Sequence, residues 1–267
     1  MDLIINLGLS MKFQISLLLL VGWIYGFAQP GPHTKAHAHN DYEHARPLFD
    51  ALANRFNSVE ADVHLKNGLL LVAHNRATGS SPELERLYFK PLDSLLKVNK
   101  GSIYAGSKST FFLMIDIKTD DAKTYHAIRA LLSAYPALKC MDLNCAVKIF
   151  LSGNRPIALM MGEGYDGLAI DGRPADLGKG YSKEWMPVIS DAFSKWSGWD
   201  GKSTASGNDL RRIKELAVKV HAEGKLLRLW AMPDNILAWR ELSNAGVDLI
   251  NTDHLVELNN YLTQRGY

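Results

Sequence analysis

Two histidines, His39 and His74, flank a stretch holding Glu60 and Asp62, and Asp116 and Lys118 repeat the same spacing further on. Residues two apart on a strand point to one face. Glu60 and Asp62 would therefore present two carboxylates side by side, and Asp116 and Lys118 an acid and a base. Like charges so placed need a cation or a shared proton. Three carboxylates with water suit one hard divalent cation, Mg²⁺ or Ca²⁺, and leave no role for soft ligands. The alternative is plain ion pairing, with Lys118 and an arginine taking the acids. Three acids against one nearby base favour the metal. Imidazole exchanges protons near neutral pH, so His39 and His74 could act as base and acid on opposite sides of a phosphorus centre. Lys118 would place positive charge on phosphate oxygens as charge develops.

These residues fall at the ends of short apolar runs. Strands are predicted to end near His39, Asp62, His74, Lys118, Ser152, Asp171, Ala231 and Asp253, eight in all. Leu69 to Ala73 and Phe111 to Ile115 are continuously apolar, as expected of parallel strands covered on both faces. Helical spacing recurs between them: Pro47 opens a stripe of Leu48, Leu52 and Phe56; Leu210, Ile213, Leu216, Ala217 and Val220 share a face; so do Ile236, Trp239 and Leu242. Eight alternating units in 267 residues predict a single (β/α)8 TIM barrel over residues 33–265, with its chemistry at the carboxyl ends of the strands. Trp230 and Asp253 then join the site at the last two strand ends, with Asn40 beside His39, as substrate or phosphate contacts. The longest insertion, between the sixth and seventh predicted strands, carries Trp185, Trp196 and Trp199. It reads equally well as a lid with an apolar rim, shared with Trp230, and as a small decoration with its own apolar cluster.

The formal net charge is +2 without a basic block, so no nucleic-acid partner is expected. Residues 1–28 read as a cleavable signal peptide: Lys12, an apolar run to Phe27, and small residues at Gly26 and Ala28. Secretion or a periplasmic location follows, and an oxidising compartment would permit a Cys140–Cys145 disulfide. The spacing leaves disulfide and free thiols both open. Metal-dependent amidohydrolases compete for His37-x-His39 and Asp253, but Ser152 and Asp171 stand where that chemistry needs histidines. No GxSxG elbow supports a serine hydrolase. A binding barrel without turnover is the remaining alternative.

The order His39-Asn-Asp-Tyr, Ser58-Val-Glu60-Ala-Asp62-Val, Leu-Val-Ala-His74-Asn75, Leu-Met-Ile-Asp116-Ile-Lys118, Leu229-Trp230 and Ile-Asn-Thr-Asp253 resembles the glycerophosphodiester phosphodiesterase-like family. That family belongs with the phospholipase C-like barrels, and the His-x-His-Asn-Asp-Tyr form is especially similar to its altered-inheritance-of-mitochondria branch. The resemblance implies His39 and His74 as the acid/base pair, Glu60, Asp62 and Asp116 as ligands of one divalent cation, and Lys118 as a phosphate contact. It implies a glycerophosphodiester or (lyso)phospholipid-type substrate, with a cyclic phosphate wherever a neighbouring hydroxyl attacks. A monomer making transient contact with a membrane surface is expected. The chain departs from the common family form in Asn40-Asp41 for Arg-Gly, Asp116 for Glu, and Asn75 for Asp.

Overall fold

The computed structural model describes residues 31–141 and 145–266; the expected signal peptide lies outside them. Eight parallel strands form the frame: β1 (His33–Ala38), β2 (Phe56–Lys66), β4 (Phe111–Ile117), β5 (Val147–Gly153), β6 (Leu168–Gly172), β7 (Val188–Ala192), β8 (Leu226–Trp230) and β9 (Ile250–Thr252). They pair in the order β8-β7-β6-β5-β4-β2-β1-β9. A parallel bridge between Arg228 and Leu249 closes the ring, giving the (β/α)8 barrel.

β3 (Leu69–Val72) stands off this ring, antiparallel to the second half of β2, with Val63 opposite Val72. The turn between them is Asn67-Gly68, with φ of 51° and 81°. A two-residue hairpin loop of this kind asks for positive φ at both positions, and Asn-Gly supplies it at the least strain. The run ending at His74 is thus a hairpin arm and no stave of the barrel. The missing stave is β7, inside the segment expected to be an insertion. Ser190 and Asp191 interrupt its apolar run, which removes the signature of a covered strand.

Seven α-helices among the described residues lie around the ring: α1 (Phe49–Ala53), α2 (Lys90–Val98), α3 (Asp121–Ser133), α4 (Ile157–Glu163), α5 (Gly207–Ala222), α6 (Ile236–Asn244) and α7 (Leu255–Gln264). Their starts are written in the sequence. Ser206 accepts from the Asp209 amide while the Asp209 side chain accepts from Ser206 N–H, a capping box for α5. Asp120 and Asn235 cap α3 and α6 alone. α1 is shorter than its apolar stripe, because Phe56 already begins β2.

Alternation along the strands sorts the side chains. Val59, Leu113, Ile115, Ile149 and Leu151 face outward into the large core shared with Ile128, Leu132, Leu216 and Trp239 of the helices. Met114, Phe150, Ala169, Val188 and Leu249 form a second cluster, with Phe112 and Leu226 against it, filling the lower barrel. Further along the same inward face the residues turn polar, and this change marks the site. The tryptophans expected over the mouth divide. Trp199 is buried with its indole N–H donating to Ser203 O; the Trp196 indole N–H donates to Asp191; Trp185 packs on Tyr165. They anchor their own segment, and of the four only Trp230 lines the cavity at the mouth.

Candidate active site

A cavity of about 510 Å³ opens at the carboxyl end of the strands, lined by His39, Glu60, Asp116, Lys118, Arg173 and Trp230 among others. Asp62 on β2 lies directly opposite Asp116 on β4 in the sheet register. Glu60, Asp62 and Asp116 each offer an oxygen within 4.8 Å of the others. Gly153 makes room: it sits at φ 65°, and a Cβ there would collide with the Asp116 carboxylate and the Ile117 backbone.

The three acids are held differently. Burial would raise Glu60, but the Arg228 guanidinium, donating at 2.7 Å, and His37 hold it at about 2. Burial raises Asp62, and the charges of Glu60 and Asp116 push the same way while Lys118 opposes them. Asp116 is raised by burial too, again against Lys118. Lys118 spans the pair, 3.2 Å from Asp62 Oδ2 and 3.2 Å from Asp116 Oδ1. Both Asp62 oxygens are buried without a well-formed hydrogen bond among the described residues, while Lys118 and His74 lie in ion-pair range of Oδ2. Two crowded carboxylates displaced toward their neutral forms, one with unsatisfied oxygens, are what a bound divalent cation relieves. The residues fit the ion. The balance of one base to three acids does not hold, however: Arg228 is a second base, buried in the barrel and paired with Glu60.

The histidines come from different frames. His39 follows β1, and its Nδ1 donates to Asp253 Oδ1 at 2.8 Å. A carboxylate only accepts, so Nδ1 carries the proton and Nε2 is the nitrogen left for exchange. Asp253 is thus placed to hold the His39 ring, a contact not foreseen beside its expected substrate role. His74 lies just past β3, with Nδ1 3.3 Å from the Tyr42 hydroxyl and 3.3 Å from Asp62 Oδ2. The Tyr42 hydroxyl donates to Asn40 Oδ1 at 3.0 Å, leaving its oxygen to accept from His74. Asn40 therefore serves this chain of contacts through its carbonyl oxygen.

Beneath them, Asp41 is wholly buried and ties down the loop after β1. Its Oδ2 accepts from the Leu48 amide at 2.6 Å and the Tyr88 hydroxyl at 2.8 Å. Burial pushes this carboxyl up to about 7, although both hydrogen bonds oppose the shift. His37 does not pair with His39 as an amidohydrolase would require. It is fully buried, Nδ1 on Ser58 Oγ at 2.7 Å and Nε2 3.4 Å from Glu60, and burial brings it down to about 4.

Four residues escaped the sequence reading. Arg228 had a signal, a charge in the centre of the apolar run Leu-Leu-Arg-Leu-Trp, where only an inward-facing partner makes burial tolerable. Arg173 follows Asp171-Gly172 just past β6, two residues beyond a strand end that the sequence did predict, and its charge there was the available signal. Tyr42 and Asp41 stood inside the quoted motif without an assigned role; three-dimensional contacts to residues 32 and 47 positions away give them one.

Residues 32–143 match the AIM6-like phosphodiesterase domain, and residues 227–255 the glycerophosphoryl diester phosphodiesterase family. The altered inheritance of mitochondria protein 6 of Eremothecium gossypii is 28% identical over 263 residues, covering 83% of this chain and 68% of that protein. Its namesake from Saccharomyces cerevisiae is 27% identical, covering 82% and 68%. A crystal structure of glycerophosphodiester phosphodiesterase from Agrobacterium tumefaciens superposes with a TM-score of 0.48 at 14% identity, covering 86% of this chain and 99% of that one. The resemblance read from the residues thus holds: the chain is similar to the AIM6-like phosphodiesterases and, over a short stretch near its end, to the glycerophosphoryl diester phosphodiesterase family.

Proposed function

We propose that this protein hydrolyses a phosphodiester of the glycerophosphodiester or (lyso)phospholipid type, with His39 as base and His74 as acid. The observation that carries the reading is convergence: both histidines, the three carboxylates and Lys118 meet at one barrel mouth although they come from four separate strand ends. A divalent cation held by Glu60, Asp62 and Asp116, Mg²⁺ or Ca²⁺, would supply charge neutralisation at a phosphate oxygen. The chain's own residues do the rest. Asp253 fixes the His39 ring so that Nε2 faces the cavity as proton acceptor. Tyr42 and Asp62 hold Nδ1 of His74, leaving its Nε2 to protonate the departing alkoxide. Lys118 is placed to meet the phosphate beside Asp116.

A panel of phosphodiesters assayed with and without a chelator, on wild type and His39→Ala, tests this. Metal-dependent release of an alcohol, lost in His39→Ala, is expected, and phosphorus NMR would show whether a cyclic phosphate precedes the monoester. Binding without turnover of any diester would instead favour a barrel that has lost its chemistry. The reading extends to an exported, monomeric protein. The Cys140–Cys145 disulfide supports export, and N-terminal sequencing of material from its host should find a mature start near Gln29.

A further inference from the structure

The wall of the cavity away from the carboxylates is made by Trp230 and Arg173. The face of an indole is where a quaternary ammonium headgroup would dock. Here that place is taken: the Arg173 guanidinium carbon lies 4.9 Å from the Trp230 ring centroid. The guanidinium is firmly held. Its Nη1 donates to Asp171 Oδ2 at 2.7 Å and to Gly172 O at 2.9 Å, and the Arg173 backbone N–H donates to Asp176 Oδ2 at 2.9 Å. Asp171 is itself fully buried and accepts from Ser152 Oγ at 2.7 Å and Ser190 Oγ at 2.5 Å. Swinging Arg173 aside would strand a buried carboxylate, at a cost far above that of an exposed pair. Meanwhile Nε and Nη2 of Arg173 make no hydrogen bond to any described residue. A guanidinium carries five donors, so these two nitrogens remain for a substrate acceptor.

We propose that Arg173, laid over Trp230, forms a headgroup subsite that accepts hydroxylated or anionic diester substituents and rejects quaternary ammonium ones. This rests on the phosphodiesterase reading above and narrows its substrate class. Arg173 is thereby a specificity-determining residue, contacting the headgroup and not the reacting phosphorus.

The test compares glycerophosphoglycerol and glycerophosphoinositol with glycerophosphocholine, in one metal buffer, on wild type, Arg173→Gln and Trp230→Leu. Wild type should favour the two hydroxylated diesters by about tenfold or more in kcat/KM, and Arg173→Gln should narrow that ratio by freeing the indole face. Equal or better use of the choline diester by wild type overturns the proposal, as does an unchanged ratio in folded Arg173→Gln. Should Arg173→Gln not fold, Trp230→Leu decides, because it leaves the Asp171 pair intact. Its loss on the choline diester must be no greater than on the glycerol one; a loss confined to choline would mean that the ring receives the ammonium. If no diester is hydrolysed, the catalytic reading fails separately, and calorimetry with glycerol phosphate and phosphocholine decides the subsite. Phosphocholine binding equally or more tightly then refutes it.

Discussion

Asp253 shows what single side chains contribute to this site, since it bears on the proposed chemistry through the His39 ring to which it is hydrogen-bonded. Loss of a catalytic proton transfer typically costs about 10²- to 10⁴-fold. His39→Ala and His74→Ala should each fall by that much in kcat. Asp253→Asn should fall less, with KM little changed, because the ring survives while its orientation and tautomer loosen. Steady-state kinetics on one active diester would check this, and single alanine variants at both histidines with wild-type rates would refute the roles. Asp62 is the informative member of the proposed ligand set, its buried oxygens being in ion-pair range of Lys118 and His74 without a well-formed hydrogen bond among the described residues. Adding Mg²⁺ or Ca²⁺ at about 100 times its Kd should stabilise the wild type by about 2.7 kcal/mol. Asp62→Ala should abolish that gain without unfolding the barrel. A thermal-shift titration reads it, and an undiminished metal response in Asp62→Ala would remove Asp62 from the ligand set. The types and spacing of these residues were legible in the sequence. Which nitrogen of which histidine is engaged was not, since the partner of His39 stands 214 positions away and the Tyr42 hydroxyl beside His74 stands 32 away.

Among the elements, the loop after β1 depends on Asp41, whose raised carboxyl gives it a pH signature. Between its ordinary 3.8 and about 7, the folded protein keeps a proton that the unfolded chain has released. Asp41's contribution therefore falls as pH rises through this window and is level above it. Asp41→Asn lacks that slope. Relative to wild type, its stability should improve by about 2–4 kcal/mol between pH 4 and pH 7.5, as measured by urea unfolding at several pH values. A difference independent of pH would show that Asp41 titrates normally. The hairpin and the helix caps could be read locally, from Asn67-Gly68 and from Ser206 with Asp209. β7 could not. Its inward Ser190 serves Asp171, so the polar middle layer of the barrel erased the apolar run by which strands are recognised.

For the molecule as a whole, the Glu60–Arg228 pair crosses the barrel interior from β2 to β8, beside the bridge that closes the ring. Removing one partner of a buried pair leaves an uncompensated charge, at about 3–5 kcal/mol. Arg228→Ala should lose stability on that scale in chelator, and a divalent cation on Glu60 should return part of it. A loss under about 1 kcal/mol in urea melts would mean the pair is not bracing the ring. The barrel class was legible from the count of alternating runs, but the count reached eight by exchanging the β3 arm for the β7 stave. That exchange has a consequence for how the protein fails with heat. His39 is fastened to the closed ring through Asp253, whereas His74 stands on an exposed stretch beyond the hairpin, kept in place among the described residues by Tyr42 and Asp62. Segments with few buried contacts open before the global transition, so inactivation should precede melting: on warming, turnover disappears while the circular dichroism of the barrel is still native, and returns on cooling.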